Sequence, residues 1–190
     1  MTKHKLNQNN ENQKGLTKEQ RLKVYLEIEI LLNDFFEKAK FCENNCINKK
    51  YSMSSNLIPG KIGCCDQDYF EYLSEFDEKF PLLRKKRLEK YGIPKINNEK
   101  TFRGPVCRYH SNAGCVLKDY KPIPCLSWIC NNFKSYLFEK YSIDYLPYEI
   151  KSFLENILLD KISKQEISKF INKIKSMTNK LSWSKERKKF

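Results

Sequence analysis

The chain has 190 residues, with 36 Lys and Arg against 23 Asp and Glu and a formal net charge of +13 at pH 7. That length accommodates one domain with a buried core and is too short for two full-sized catalytic domains. No stretch is apolar for long enough to cross a bilayer, since residues 28–32 and 157–159 are cut off by charge; the polar start lacks a signal-peptide core, so the expected location is cytoplasmic.

Residues 1–15 are an Asn/Gln/Lys run with almost nothing to bury, and are expected to be a disordered tail. Thr17-Lys18-Glu19-Gln20 has the form of a capping box. After it, Leu22, Tyr25, Ile28, Leu31, Leu32, Phe35, Phe36 and Ala39 recur at spacings of three and four, which predicts a long amphipathic helix ending near Lys40. Cys42 and Cys46 follow, spaced so that a continuing helical turn would point both sulfurs the same way. Residues 47–63, rich in Ser, Pro and Gly, read as a loop leading to the adjacent pair Cys64-Cys65. Asp66 then reads as an N-cap. Tyr69, Phe70, Tyr72, Leu73 and Phe76 form a helical face broken at Pro81, which resumes through Leu82, Leu83 and Leu88 to Tyr91-Gly92.

Residues 93–105 are a connection without a clear period, after which the segments around Cys107 and Cys115 predict a short hairpin. Lys121-Pro122-Ile123-Pro124 is incompatible with a helix interior, so Cys125 is expected just after a rigid extended turn. A helix is predicted from Trp128 to Tyr141 with Cys130 near its start. Another opens at Pro147, with Ile150, Phe153, Leu154, Ile157 and Leu158 as its face. A last helix from Ser163 to Leu181 carries Ile167, Phe170, Ile171 and Ile174 on one side and lysines on the other. The expected architecture is mainly α: one helical domain over residues 16–182 around a cysteine-rich metal centre, with a short β-hairpin, proline-rich turns and a basic tail at 183–190.

The eight cysteines carry the chemistry: Cys42, Cys46, Cys64 and Cys65 upstream, Cys107, Cys115, Cys125 and Cys130 downstream. Thiolates at this density in a reducing compartment suit zinc or an iron–sulfur cluster, whereas disulfides, the alternative that an even number allows, need an oxidising one. Four downstream thiolates can close one tetrahedral site. The adjacent pair Cys64-Cys65 tends to point apart, which favours a cluster, or sites sharing ligands between the two groups, over two separate zinc knuckles. His110 lies three residues from Cys107 but reads as a solvent-facing turn histidine, and no nucleophile motif accompanies it.

The stretch Gly114-Cys115-Val116-Leu117-Lys118-Asp119-Tyr120-Lys121-Pro122-Ile123-Pro124-Cys125 resembles the signature of the YkgJ-like cysteine-cluster family, described as zinc- or iron-chelating. In that family a Gly-Cys-x-Leu/Ile step precedes an Arg-Pro-x-x-Cys step, after an earlier cluster ending in two adjacent cysteines. Over residues 41–130 the eight cysteines follow the family's order one for one. The chain departs from it in the insertion between Cys46 and Cys64, in Lys121 where arginine is usual, and in Leu126 where a second arginine is common. The resemblance implies that all eight cysteines are metal ligands. Related cysteine clusters occur in flagellin lysine N-methylases, which makes a protein-modifying enzyme using S-adenosylmethionine one alternative. The chain has neither a Gly-x-Gly-x-x-Gly turn nor the C-x3-C-x2-C arrangement of radical S-adenosylmethionine enzymes, and enzymatic activity is left open.

The expected function is therefore that of a cysteine-ligated metal-binding protein acting in redox chemistry, metal handling or protein modification, with an iron–sulfur cluster preferred to zinc. The net charge leaves a second alternative, a structural-zinc protein that binds nucleic acid, or another acidic partner, through its lysine-rich C-terminal helices. The basic runs are Arg84-Lys85-Lys86-Arg87 and the lysines from Lys161 onward. Arginine, the residue suited to base reading, occurs at only six positions.

Overall fold

The longest apolar stripe of the sequence becomes the centre of the fold. In the computed structural model, which describes residues 15–41, 44, 75–93, 100–101, 104–105, 107, 109–111 and 114–186, helix α1 (Lys18–Ala39) buries Leu22, Tyr25, Ile28, Leu32, Phe35 and Ala39. The capping box is formed: the Thr17 hydroxyl accepts the Gln20 N–H at 3.2 Å and the Gln20 side chain accepts the Thr17 N–H at 2.8 Å. Lys40, in the left-handed conformation at φ 51°, ends the helix with its N–H on the Phe36 carbonyl.

A helical turn at 75–79 leads to α2 (Pro81–Tyr91), with Pro81 in the first turn, where its missing N–H costs nothing. Gly92, at φ +72°, stops it. Two small antiparallel ladders follow: β1 (Lys100–Thr101) with β2 (Gly104–Pro105), and β3 (His110–Ser111) with β4 (Gly114–Cys115), the last pairing His110 with Cys115. Then come α3 (Ile123–Ser127), α4 (Asn131–Tyr141), α5 (Pro147–Leu158) and α6 (Lys164–Glu186). The architecture is mainly helical, and no helix among the described residues is long and apolar enough to cross a membrane.

α1 packs against α5, α6 and α3, and α3 packs in turn against α5. The far end of α1 meets an aromatic cluster in which Phe35 stacks on Tyr145 with centroids 5.7 Å apart and Phe41 stacks on Phe133 at 4.8 Å. Tyr145 is fully buried, and its hydroxyl donates to the Leu126 carbonyl at 2.9 Å, so its polar end is satisfied inside the core.

Three expectations need correction. The Pro122-Ile123-Pro124 step does not exclude a helix: Pro122 is its extended N-cap, Pro124 lies in its first turn, and Cys125 sits within α3 instead of after an extended turn. The next helix begins at Asn131, not Trp128, because Trp128 and Cys130 are both extended and Cys130 serves as the N-cap of α4. The last helix continues past Leu181 to Glu186, there being no glycine or proline to stop it. Residues 1–14, most of 42–74 with the helix expected after Asp66, and 187–190 lie outside the described residues.

Candidate functional site

The turn that carries the chain into Cys125 is held from two helices. From α1, the Tyr25 hydroxyl donates to the Lys121 carbonyl at 2.6 Å, a Glu29 carboxylate oxygen accepts the Lys121 N–H at 2.9 Å, and the Asn33 amide donates to the Lys118 carbonyl at 3.3 Å while accepting from Lys121 Nζ at 2.6 Å. From α2, Arg87 donates to the Tyr120 carbonyl at 3.2 Å. The Tyr91 hydroxyl accepts the N–H groups of Lys118 and Asp119 at 3.0 and 3.2 Å and donates to Asp119 Oδ1 at 2.8 Å. Lys90 completes the grip through Asp119 Oδ2. Tyr120 needs this support, because its φ of 55° places a bulky side chain in the left-handed region, at a cost of roughly 1–2 kcal/mol.

Two of these clamping groups are ionisable and inside the protein. Glu29 is fully buried, and loss of water around its carboxyl raises its pKa to about 7, against the opposing pull of the Lys121 N–H; its second oxygen, Oε2, finds no partner among the described residues. Arg87 is 1 % exposed and ion-paired with Asp77, and its guanidinium lies 5.9 Å from the Tyr109 ring centroid. Tyr25 is buried beside Glu29, Cys125 and Arg87, and burial lifts its pKa well above the ordinary phenol value.

Below this bracket lies a second, smaller apolar cluster, separate from the main core: Cys107, Tyr109 and Leu117, with Tyr91 and Cys125 packed against it. It takes its place from short-range pairing, since the Val116 N–H bonds the Tyr109 carbonyl at 2.9 Å beside the β3–β4 ladder. Burial pushes the Cys107 thiol up, and the nearby Cys115 pushes it further, while Arg87 pulls the other way. Cys115 itself is exposed; Cys125 and Cys130 are half-buried, and Cys130 packs against the main core. None of the four is in a disulfide.

The downstream cysteines are thus only partly brought together. Cys107 has Cys115 as a charged-form neighbour and shares a cluster with Cys125, whereas Cys130 sits on the other core. Among the described residues no three His, Cys, Asp or Glu side chains come close enough to hold an ion. Cys42, Cys46, Cys64 and Cys65 lie outside the described residues. Glu29 and Arg87 were not singled out by the sequence reading, although a signal was present: Tyr25, Ile28, Glu29 and Leu32 share one helical stripe, and so do Phe80, Leu83, Arg87 and Tyr91. A charged residue inside an apolar stripe marks a buried polar contact.

No family model, no curated protein and no solved structure matches this chain.

Proposed function

We propose that this protein is a cysteine-ligated metal-binding protein of the YkgJ-like type, holding an iron–sulfur cluster in the first instance and zinc in the second. The observation that carries the reading is the small second core, in which the buried free thiol of Cys107 lies beside Cys115 and packs with Cys125, a residue on a turn that two helices clamp. A buried thiol next to a second thiol resists ionisation by itself; a bound cation reverses that preference, because metal ligation requires the thiolates. Cys107, Cys115, Cys125 and Cys130 would hold the group together with Cys42, Cys46, Cys64 and Cys65, in an arrangement that shares ligands between the two halves of the chain. An iron–sulfur cluster supplies one-electron redox chemistry, whereas structural zinc contributes folding free energy on the order of 10 kcal/mol. In either case the protein's part is to fix the Cys125 turn before the ligand arrives.

The test is elemental analysis with a UV–visible spectrum on the full chain isolated without oxygen. Iron and sulfide with visible charge-transfer absorption support the cluster; colourless protein with stoichiometric zinc supports the second metal. Cys125→Ser is expected to lower metal content and stability together. Wild-type protein that binds neither metal, or a Cys125→Ser variant that keeps its full metal content, would overturn the proposal.

A further inference from the structure

The two basic segments of the sequence behave differently once folded. On α2 and beside it, each basic residue has an acidic partner, three carboxylates serving five positive charges: Arg84 and Arg87 share Asp77, Lys85 and Lys86 share Glu89, and Lys90 faces Asp119. On α6 it is not. Lys164, Lys169, Lys175 and Lys180 are exposed, and none of them makes an ion pair among the described residues. Lys180 donates to the neutral Ser142 carbonyl at 3.1 Å, while Glu166 caps Ser163, with 2.6 Å between the carboxylate and the hydroxyl, and acts on Lys169 only through space, beyond ion-pair distance. Lys173 alone is neutralised, by Glu149 at 2.7 Å.

From Lys164 to Lys180 these ammonium groups extend along the helix for about 24 Å at 1.5 Å per residue. Ser168, Asn172, Ser176 and Asn179 lie exposed between them and add neutral hydrogen-bonding groups. The opposite face is closed: Ile167, Phe170, Ile174, Met177 and Leu181 are buried in the core, so that among the described side chains of α6 no large apolar one is left exposed to enter a lipid layer.

We propose that the outer face of α6 is a docking surface for the phosphodiester backbone of nucleic acid, bound without base readout, and that the Arg84-Lys85-Lys86-Arg87 run takes no part in it. Lysines along both edges of this face, Lys164 and Lys175 on one and Lys169 and Lys180 on the other, with serine and asparagine between them, match phosphate contacts, which position a protein on nucleic acid without specifying sequence. None of the four described cysteines lies on α6, so the lysine variants leave those thiols unchanged and are read separately from metal content.

The experiment is fluorescence anisotropy of the full chain with a mixed-sequence DNA duplex over a range of salt concentrations. Four phosphate contacts give a plot of log affinity against log salt with a slope of about −3 to −4. Substituting Lys164, Lys169 and Lys175 together by Gln is expected to reduce affinity about tenfold or more at low salt and to flatten the slope by nearly 3, with an unchanged circular dichroism spectrum. The matched variant R84Q/K85Q/K86Q removes the same formal charge from α2 and is expected to bind within about twofold of wild type, which net charge alone cannot explain. The proposal is overturned if the duplex does not bind at low salt, if both variants lose affinity equally, or if phosphatidylserine vesicles or polyglutamate bind more tightly than the duplex.

Discussion

Glu29 allows the sharpest test of the bracket. Its pKa stands at about 7 inside the protein against an ordinary 4.5, so between those values the folded state holds a proton that the unfolded chain has released. Stability must then decrease as pH rises through this window and level off above it, the reverse of the usual carboxylate, whose ion pair is lost in acid. A displacement of this size, at about 1.4 kcal/mol per pH unit, amounts to roughly 3 kcal/mol in total, of which about 2.5 kcal/mol is developed between pH 5 and pH 8. Glu29→Gln keeps an oxygen for the Lys121 N–H and removes the titration. Its amide brings a donor to the place of the unpartnered Oε2, which shifts stability by a roughly constant 1–3 kcal/mol at every pH. The difference between wild type and variant, measured by urea unfolding with a reductant present at each pH, cancels every other titrating group. That difference should move by about 2.5 kcal/mol in favour of Glu29→Gln from pH 5 to pH 8. Parallel curves for the two proteins would show that Glu29 is not protonated in the folded state near neutrality and would refute the burial argument.

Two further outcomes follow from the same neighbourhood. Arg87→Lys is expected to destabilise the fold by about 2–4 kcal/mol in urea unfolding despite keeping the charge, because one ammonium cannot reach Asp77 and the Tyr120 carbonyl together while lying against the Tyr109 ring; a loss below about 0.5 kcal/mol would show that charge alone suffices. Thiol labelling of reduced protein should proceed in phases, with Cys115 reacting ahead of Cys107, since the first is exposed and the second is buried with its pKa raised. Cys115→Ser should remove the fast phase from this pair of thiols, and an unchanged time course would contradict their placement.

What could be read in the sequence was local. The Thr17 to Gln20 box, the spacing from Leu22 to Ala39, and the prolines at 81 and 147 are each decided within a few residues, by capping, by one helical face or by a missing N–H, and the folded chain has these features. The short helix at Cys125 was missed for a reason of the same kind: two prolines suggest a break, yet a first turn accepts them, and whether one forms depends on what buries Ile123 and Leu126. The bracket depends on distant pairings. Arg87 looks like one of four consecutive basic residues, and only folding supplies Asp77 and the Tyr120 carbonyl that turn it into a buried structural residue. The cysteines fall between these cases, since their order suggests a shared centre but their grouping is set by which core each one joins.

This division between two cores has a consequence for any ligand. Cys130 is fixed by the main helical core, at the start of α4, whereas Cys107 and Cys125 meet in the smaller cluster. The connection between them is the short α3, whose Leu126 is fully buried and whose Leu126 carbonyl accepts the Tyr145 hydroxyl. Cys125 and Cys130 are therefore referenced to the same rigid elements, one through the Tyr25, Glu29 and Arg87 clamp and the other through the aromatic packing around Phe133. Among the described residues, Cys107 is held by the small cluster, against which Tyr91 packs, and Cys115 by a pairing of two residues in each strand, with Arg87 beside Tyr109. A ligand bridging all four would thus tie the small cluster and the β3–β4 pairing to the main helical core. The largest gain in hydrogen-exchange protection on metal loading should appear at residues 107–117, with little change at α1 or α4.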